Sequence, residues 1–235
     1  MTGVSSLSKV KERSASPALP RQRLSKRDQL VETAWRLFYR DGYHATGIDR
    51  ILASAGVAKM TLYKHFRSKE DLILAVLEKR SDLFRESFSR FLQAKRGTPE
   101  QQLLGVFDWL VNWIKSKEFR GCFFQKAMAE YQSIQDPIHR AALAHKAAFH
   151  AEIGRLVKEA GLARPKNLGD QLALIVEGAI VSSHALGSSV PAIQARAAAR
   201  SLIKMGGTQG SLAQRTQRER LVGRKSRRGQ RKPLS

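Results

Sequence analysis

Apolar residues recur at helical spacing along almost the whole chain, and the alternation of a half-buried strand is nearly absent. Leu30, Ala34, Leu37 and Phe38 share one face, which predicts a first helix from Lys26 to about Arg40, stopping before Asp41-Gly42. The run TGIDRILASAGVAKMTLYKHFRSKEDL then predicts two short helices, from about Gly47 to Ala53 or Ser54 and from Lys59 to Phe66, with Gly56 permitting the turn between them. Ile48, Ile51, Leu52, Ala55, Val57, Leu62 and Phe66 can pack into one small core. A long fourth helix follows from Lys69 to about Ala94, with Leu72, Ala75, Val76, Leu83 and Phe84 as its inner stripe, ended by Gly97.

Helix starts are well marked. Ser25/Asp28, Thr46/Asp49 and Ser68/Asp71 each place a carboxylate three residues after a hydroxyl, the spacing of a reciprocal cap contributing about 1 kcal/mol. Thr98-Pro99-Glu100-Gln101 adds a cap, a proline at the first helical position and a glutamine at the third. Further helices are expected over 99–115, 120–133, 137–160, 165–187 and 191–206, giving an all-α chain of about nine helices. The domain boundaries expected are a disordered basic arm over 1–24, a three-helix domain over 25–68, a larger helical domain over 69–206 and a disordered basic tail over 207–235.

With 42% hydrophobic residues the chain can bury a real core, which excludes global disorder. A net charge of +22 points to a polyanionic partner, although much of it sits before Ser25 and after Gln214. Basic tails alone are weak evidence of sequence-specific binding. Cys122 is the sole cysteine, so no intramolecular disulfide can form and a reducing cytosol is the natural compartment. The N-terminal segment lacks the apolar core of a secretory signal, and no stretch is apolar enough to span a bilayer. A bacterial cytoplasmic protein associated with the nucleoid is the expectation.

The chemistry of the chain concentrates on its third predicted helix. Packing the apolar set inward leaves Lys59, Thr61, Tyr63, Lys64, His65 and Lys69 pointing outward together. A short helix with cations, hydroxyls and an aromatic on its outer side suits the DNA major groove. Lysine can donate to guanine acceptors, while Met60 and Thr61 can touch thymine methyls. Lys59, Met60, Thr61 and Lys64 are the candidates for base edges. Tyr63, His65 and Lys69 are candidates for phosphates, and the Thr46 backbone N–H is a further one.

AGVAKMTLYKHFRSKEDLI, preceded by ATGIDRIL and by a helix ending in DGY, resembles the DNA-binding domain of TetR-type transcriptional regulators. The resemblance is strongest over 25–74 and extends more loosely to about Met205. It implies an N-terminal helix-turn-helix domain followed by a larger helical domain for ligand binding and dimerisation. It also implies operator double-stranded DNA, a second copy of the chain and a small-molecule effector as partners, and most often repression. One departure is Ala58, where the family often places a serine cap, leaving first-turn N–H groups of the third helix without a side-chain partner.

In the larger domain the eighth predicted helix, DQLALIVEGAIVSSHALG, is apolar around nearly its whole circumference and carries small residues that admit a second helix closely. The ninth is alanine-rich. Two such helices meeting their symmetry mates would form a four-helix interface through Leu172, Ile175, Val176, Ala179, Ile180, Ser183, Ala195, Ala199 and Leu202. The other possibility is that the eighth helix is the buried centre of a monomer. Trp109, Trp113, Phe124, Met128, Tyr131 and Phe149, with the polar groups Asn112, His145 and Glu177, are the candidates to line an effector pocket. Residue by residue the same aromatics read first as plain core, and the family resemblance is what implies a cavity.

His139, His145 and His150 are spaced by six and five residues, which does not place them on one helical face as metal ligands. No cofactor is expected, and no phosphate loop, nucleophile elbow or paired catalytic acids occur, which argues against an enzyme. The competing reading is a sequence-tolerant nucleic-acid binding or architectural protein driven by its basic tails.

Overall fold

The computed structural model describes residues 24–95 and 97–207. Among them are nine helices and no strand: α1 (Lys26–Asp41), α2 (Ile48–Ala55), α3 (Lys59–His65), α4 (Lys69–Ala94), α5 (Pro99–Ile114), α6 (Phe123–Glu130), α7 (Pro137–Glu159), α8 (Pro165–Leu186) and α9 over 190–207. The all-α expectation holds. The basic arm and tail lie outside the described residues, apart from Leu24 and Gly207 at their inner ends.

The first three helices pack on one another and on the start of α4 around Leu30, Ala34, Phe38, Ile51, Leu62 and Leu72, all buried. Gly56 closes α2 in the left-handed region (φ 61°), donating its N–H back to Ala53 and Leu52. A β-carbon there would be strained by the backbone conformation itself. Gln29 Nε2 donates to the Ala55 carbonyl at 2.6 Å, tying α1 to the last turn of α2.

The remaining helices form a bundle centred on α7, which packs against α4, α5, α6 and α8. α7 and α8 approach closely where Gly154 faces Gly169, since a β-carbon on Gly169 would stand 3.2 Å from the Gly154 Cα. Asp108 on α5 accepts from Lys95 after α4 and from Arg196 on α9, joining three elements. Burial works to raise its carboxyl, and those hydrogen bonds outweigh it and hold it below the ordinary carboxylate range.

Two local expectations need correction. Ser25 and Ser68 do cap α1 and α4, accepting from the N–H groups of Asp28 and Asp71 at 3.0 and 3.1 Å. Thr46 does not cap α2: Gly47 is the capping residue, and the Thr46 hydroxyl donates to the Gly42 carbonyl at 2.7 Å. The full reciprocal box forms instead at Thr98 and Gln101 on α5. The sixth helix is also much shorter than the expected 120–133. Its start is displaced because Gly121 takes φ 84° and the Arg120–Gly121 backbone is bound by the Tyr39 hydroxyl.

Candidate functional site

α3 is only seven residues long, and Leu62 is its buried residue. Burying Leu62, with Val57 and Phe66 buried at either end, turns the opposite side of α3 to solvent. Met60 is 81% exposed and Tyr63 46% exposed, and Lys59, Lys64 and His65 are exposed with them. Thr61 and Lys69 sit half-buried at the edges of this face. α3 contains no acidic residue, and Lys59 meets only the exposed Asp49 at 3.8 Å. Ala58 caps α3 without a side-chain hydrogen bond, as the sequence implies, so N–H groups of its first turn stay open to an acceptor. Thr46 leaves the set. It is fully buried, so its backbone N–H is closed off from a phosphate, and its hydroxyl is spent on Gly42.

The segment between α1 and α2 is bonded directly to α6. The Glu130 carboxylate accepts from the N–H groups of Tyr43 and His44 at 2.9 and 2.6 Å, and the His44 ring lies 3.0 Å from the Glu130 carbonyl. The Tyr43 hydroxyl donates to the Phe123 carbonyl at 3.0 Å, and Lys126 donates to the Tyr39 carbonyl at 3.0 Å. Burial pushes the Tyr43 phenol far up, so it remains a donor. α6 therefore grips the N-terminal three-helix domain at both of its ends. Sequence reasoning does not find that connection, because hydrogen bonds across eighty or more residues leave no local pattern.

A cavity of about 530 Å³ opens between α1, α4, α5, α6, α7 and α8. That volume lies within the range of about 300–1,000 Å³ typical of small-molecule pockets. Of the expected lining residues, Trp109, Trp113, Phe124, His145, Phe149 and Glu177 do face it. Asn112, Met128 and Tyr131 do not: Asn112 is exposed on the far side of α5, and Tyr131 packs against Tyr43 and His44 at the junction with α6. The phenol of Tyr131 is pushed up to about 12, by burial first and then by Glu70 and Glu130. Trp35, Tyr39, Arg80 and Phe84 are among the further lining residues that sequence reasoning misses. A signal for Arg80 exists in the sequence, since it sits between Val76 and Phe84 at four-residue spacing on the inner stripe of α4.

Inside the cavity, Lys146 and Glu177 pair at 2.6 Å with side chains only 10% and 18% exposed. Gln125 donates to the same carboxylate at 2.5 Å, and His150 lies 3.4 Å from it. Cys122 lines the cavity too, buried at the start of α6. His145 stacks on Phe124 with ring centroids 3.5 Å apart and meets the Ser81 hydroxyl at 3.0 Å. Burial pulls its imidazole down to about 4, with Lys146 and Arg85 adding to the shift.

The folded chain thus holds His145 neutral where the unfolded chain, titrating near 6.5, takes up a proton. Stability from this group is full above about pH 6.5 and is lost as pH falls toward 4. Between pH 7 and pH 5 the loss should be about 1–2 kcal/mol. Urea unfolding at both values should show a correspondingly smaller loss for His145→Leu. An equal loss in the variant would remove His145 from the explanation.

The expected contact surface on α8 and α9 also changes. Leu172, Val176, Ala179, Ile180, Ser183, Ala195 and Ala199 are buried within the protomer, and Ile175 and Leu202 are partly buried against the same core. None of the seven is available to a second copy as the protomer stands. The large apolar residues that do reach the surface are Leu174, Val181 and Leu186 on α8 and Val190, Ile193 and Met205 on α9. Gly178 and Ala185 fall on the same outward stripe. Periodicity missed this because α8 is apolar all round, so the pattern alone does not choose a face.

Residues 30–76 match the family model described as bacterial regulatory proteins, tetR family. Over 64 residues the chain is 48% identical to the HTH-type transcriptional activator FasR of Mycolicibacterium smegmatis, covering 27% of this chain and 28% of that one. Over 104 residues it is 32% identical to the HTH-type transcriptional repressor ComR of Escherichia coli, covering 44% of this chain and 50% of that one. The chain thus spans half or less of the length of these two curated relatives. The likeness to solved structures runs further. A TetR-family transcriptional regulator from Streptomyces coelicolor is 32% identical with a TM-score of 0.73, covering 77% of this chain and 95% of that one. The reduced form of Escherichia coli NemR, 21% identical with a TM-score of 0.69, shares the fold. These relatives are named as transcriptional regulators rather than enzymes. An outward cationic helix on a helix-turn-helix, joined to a cavity-bearing bundle, agrees with that likeness over three-quarters of the sequence: the chain belongs to the TetR family of DNA-binding transcriptional regulators.

Proposed function

We propose that the chain is a homodimeric repressor that holds a pseudo-palindromic operator through α3 and releases it when a small molecule fills the cavity, acting in the bacterial cytoplasm on nucleoid DNA. The observation that carries this reading is the double role of α6. Phe123 and Phe124 of α6 line the cavity, while Phe123 and Glu130 bond the segment ahead of α2. A ligand that favours one position of α6 therefore favours one position of the DNA-binding helices. Lys59, Met60, Thr61 and Lys64 are assigned to base edges, and Tyr63, His65 and Lys69 to phosphates. The outward stripe of Leu174, Val181 and Ile193 supports a second copy docking on α8 and α9.

Selection of fragments from the source organism's genomic DNA tests the reading. Full-length protein should enrich one motif with two half-sites about 34–36 Å apart. Lys64→Ala should lose that preference, and removal of the residues after Gly207 should keep it while lowering the salt dependence. If tail removal abolishes the preference and Lys64→Ala leaves it intact, the chain is a sequence-tolerant binder instead. Sedimentation should give a dimer that Val181→Asp splits.

A further inference from the structure

We propose that the cavity takes an amphipathic organic anion, one carboxylate or sulfonate on a flat aromatic body, and that Arg80 receives its charged end. The proposal rests on reading the cavity as the effector site. Three cations, Arg80, Arg90 and Lys146, line the cavity against two carboxylates, Glu118 and Glu177. Lys146 and Glu177 neutralise each other, with Gln125 also bound to that carboxylate. Arg80 has no partner that close. Its guanidinium carbon sits over Trp35, 3.5 Å from the ring centroid, and its one carboxylate neighbour is Glu32, an ion pair at 3.8 Å and beyond hydrogen-bond reach. Among the described residues, no acceptor satisfies the Arg80 donors.

A guanidinium with its fork open, partly buried at 26% side-chain exposure, is suited to a bidentate anion. Arg90 adds a second cation at the rim, occupied only by the Glu86 carbonyl of its own helix at 3.3 Å. A cationic ligand would meet both arginines, find Glu177 already taken, and have only Glu118, exposed in the loop after α5, to pair with. The body of the ligand follows from the walls, where Trp109 and Trp113 stack 5.6 Å apart at 28° and leave flat aromatic surface toward the cavity. Glu32 and Trp35 lie on α1, so an anion arriving at Arg80 competes with a contact made by the DNA-binding domain.

All three tryptophans of the chain line the cavity, so their quenching reports occupancy. The probes are 8-anilinonaphthalene-1-sulfonate, an anion, and N-phenyl-1-naphthylamine, its neutral counterpart, titrated into full-length protein and competed against each other. Arg80→Gln should weaken the sulfonate at least tenfold and the amine less than twofold. Glu32→Gln should tighten the sulfonate about two- to fivefold, by removing the competing carboxylate, and leave the amine unchanged. Equal changes for the two probes in Arg80→Gln, or no change for either, would overturn the assignment while leaving the cavity reading in place. If Arg80→Gln fails to fold, Glu32→Gln decides, and an unchanged or weakened sulfonate overturns the proposal. Absence of quenching by both probes in the unaltered protein removes the cavity reading, and the proposal with it.

Discussion

Replacing Glu177 by alanine should cost the protein about 3 kcal/mol of stability, because it strands Lys146 as an uncompensated charge whose side chain is only 10% exposed. The loss arises from the partner left behind more than from the pair itself, since two paired charges in a partly dry site nearly cancel their own desolvation. Removing both charges together should therefore be far milder. Glu177→Leu combined with Lys146→Met should return stability to within about 1 kcal/mol of the unaltered protein, or above it. Urea titration of the three proteins at pH 7 makes the comparison. A single-variant cost below about 1 kcal/mol would mean that water reaches the pair freely, and that the inner end of the cavity is wet.

Leu62→Ala should be the most damaging single change for DNA recognition. Burial of a leucine in a tight core is worth about 2–5 kcal/mol when truncated to alanine. In a helix of seven residues no second fully buried side chain shares that role. The outward residues would stay in the sequence but lose their common orientation. Sequence-selective binding should fall to the non-specific level, while the salt-dependent attraction of the basic chain persists. Lys64→Ala is the informative contrast, because Lys64 is exposed and anchors nothing. It should leave the thermal midpoint nearly unchanged and cost about 1–3 kcal/mol of operator binding. Equal thermal midpoints for Leu62→Ala and the unaltered protein would show that α3 is held by something other than this core.

The contrast between these residues shows how far the chain can be read without its fold. α4 was expected over Lys69–Ala94 and forms over Lys69–Ala94, because Ser68 and Asp71 specify its start within three residues. The turn at Gly56 and the uncapped start at Ala58 were legible for the same reason. Thr46 shows the limit of that logic. Its spacing to Asp49 mimics a cap, but the nearby Gly42 carbonyl competes for the hydroxyl and wins. Arg80 shows another limit. Its place on the inner stripe of α4 is visible, yet only Trp35 and Glu32 on α1 reveal that its fork lies open to the cavity.

Caps, turns and helical periodicity act over three or four residues, so they are written in the order of the chain and need no partner to be recognised. They set the nine helices, the outward face of α3 and, through the TetR resemblance, the identity of the family. The faces of α8, the shortened α6, its hydrogen bonds to Tyr43 and His44, and the set of charges lining the cavity come from residues that lie far apart in the chain. Each of these depends on which surface reaches which, and a helix that is apolar all round carries no local information about that choice. The tertiary packing made it, by burying Val176 and Ala179 inside the protomer and leaving Leu174 and Val181 outside.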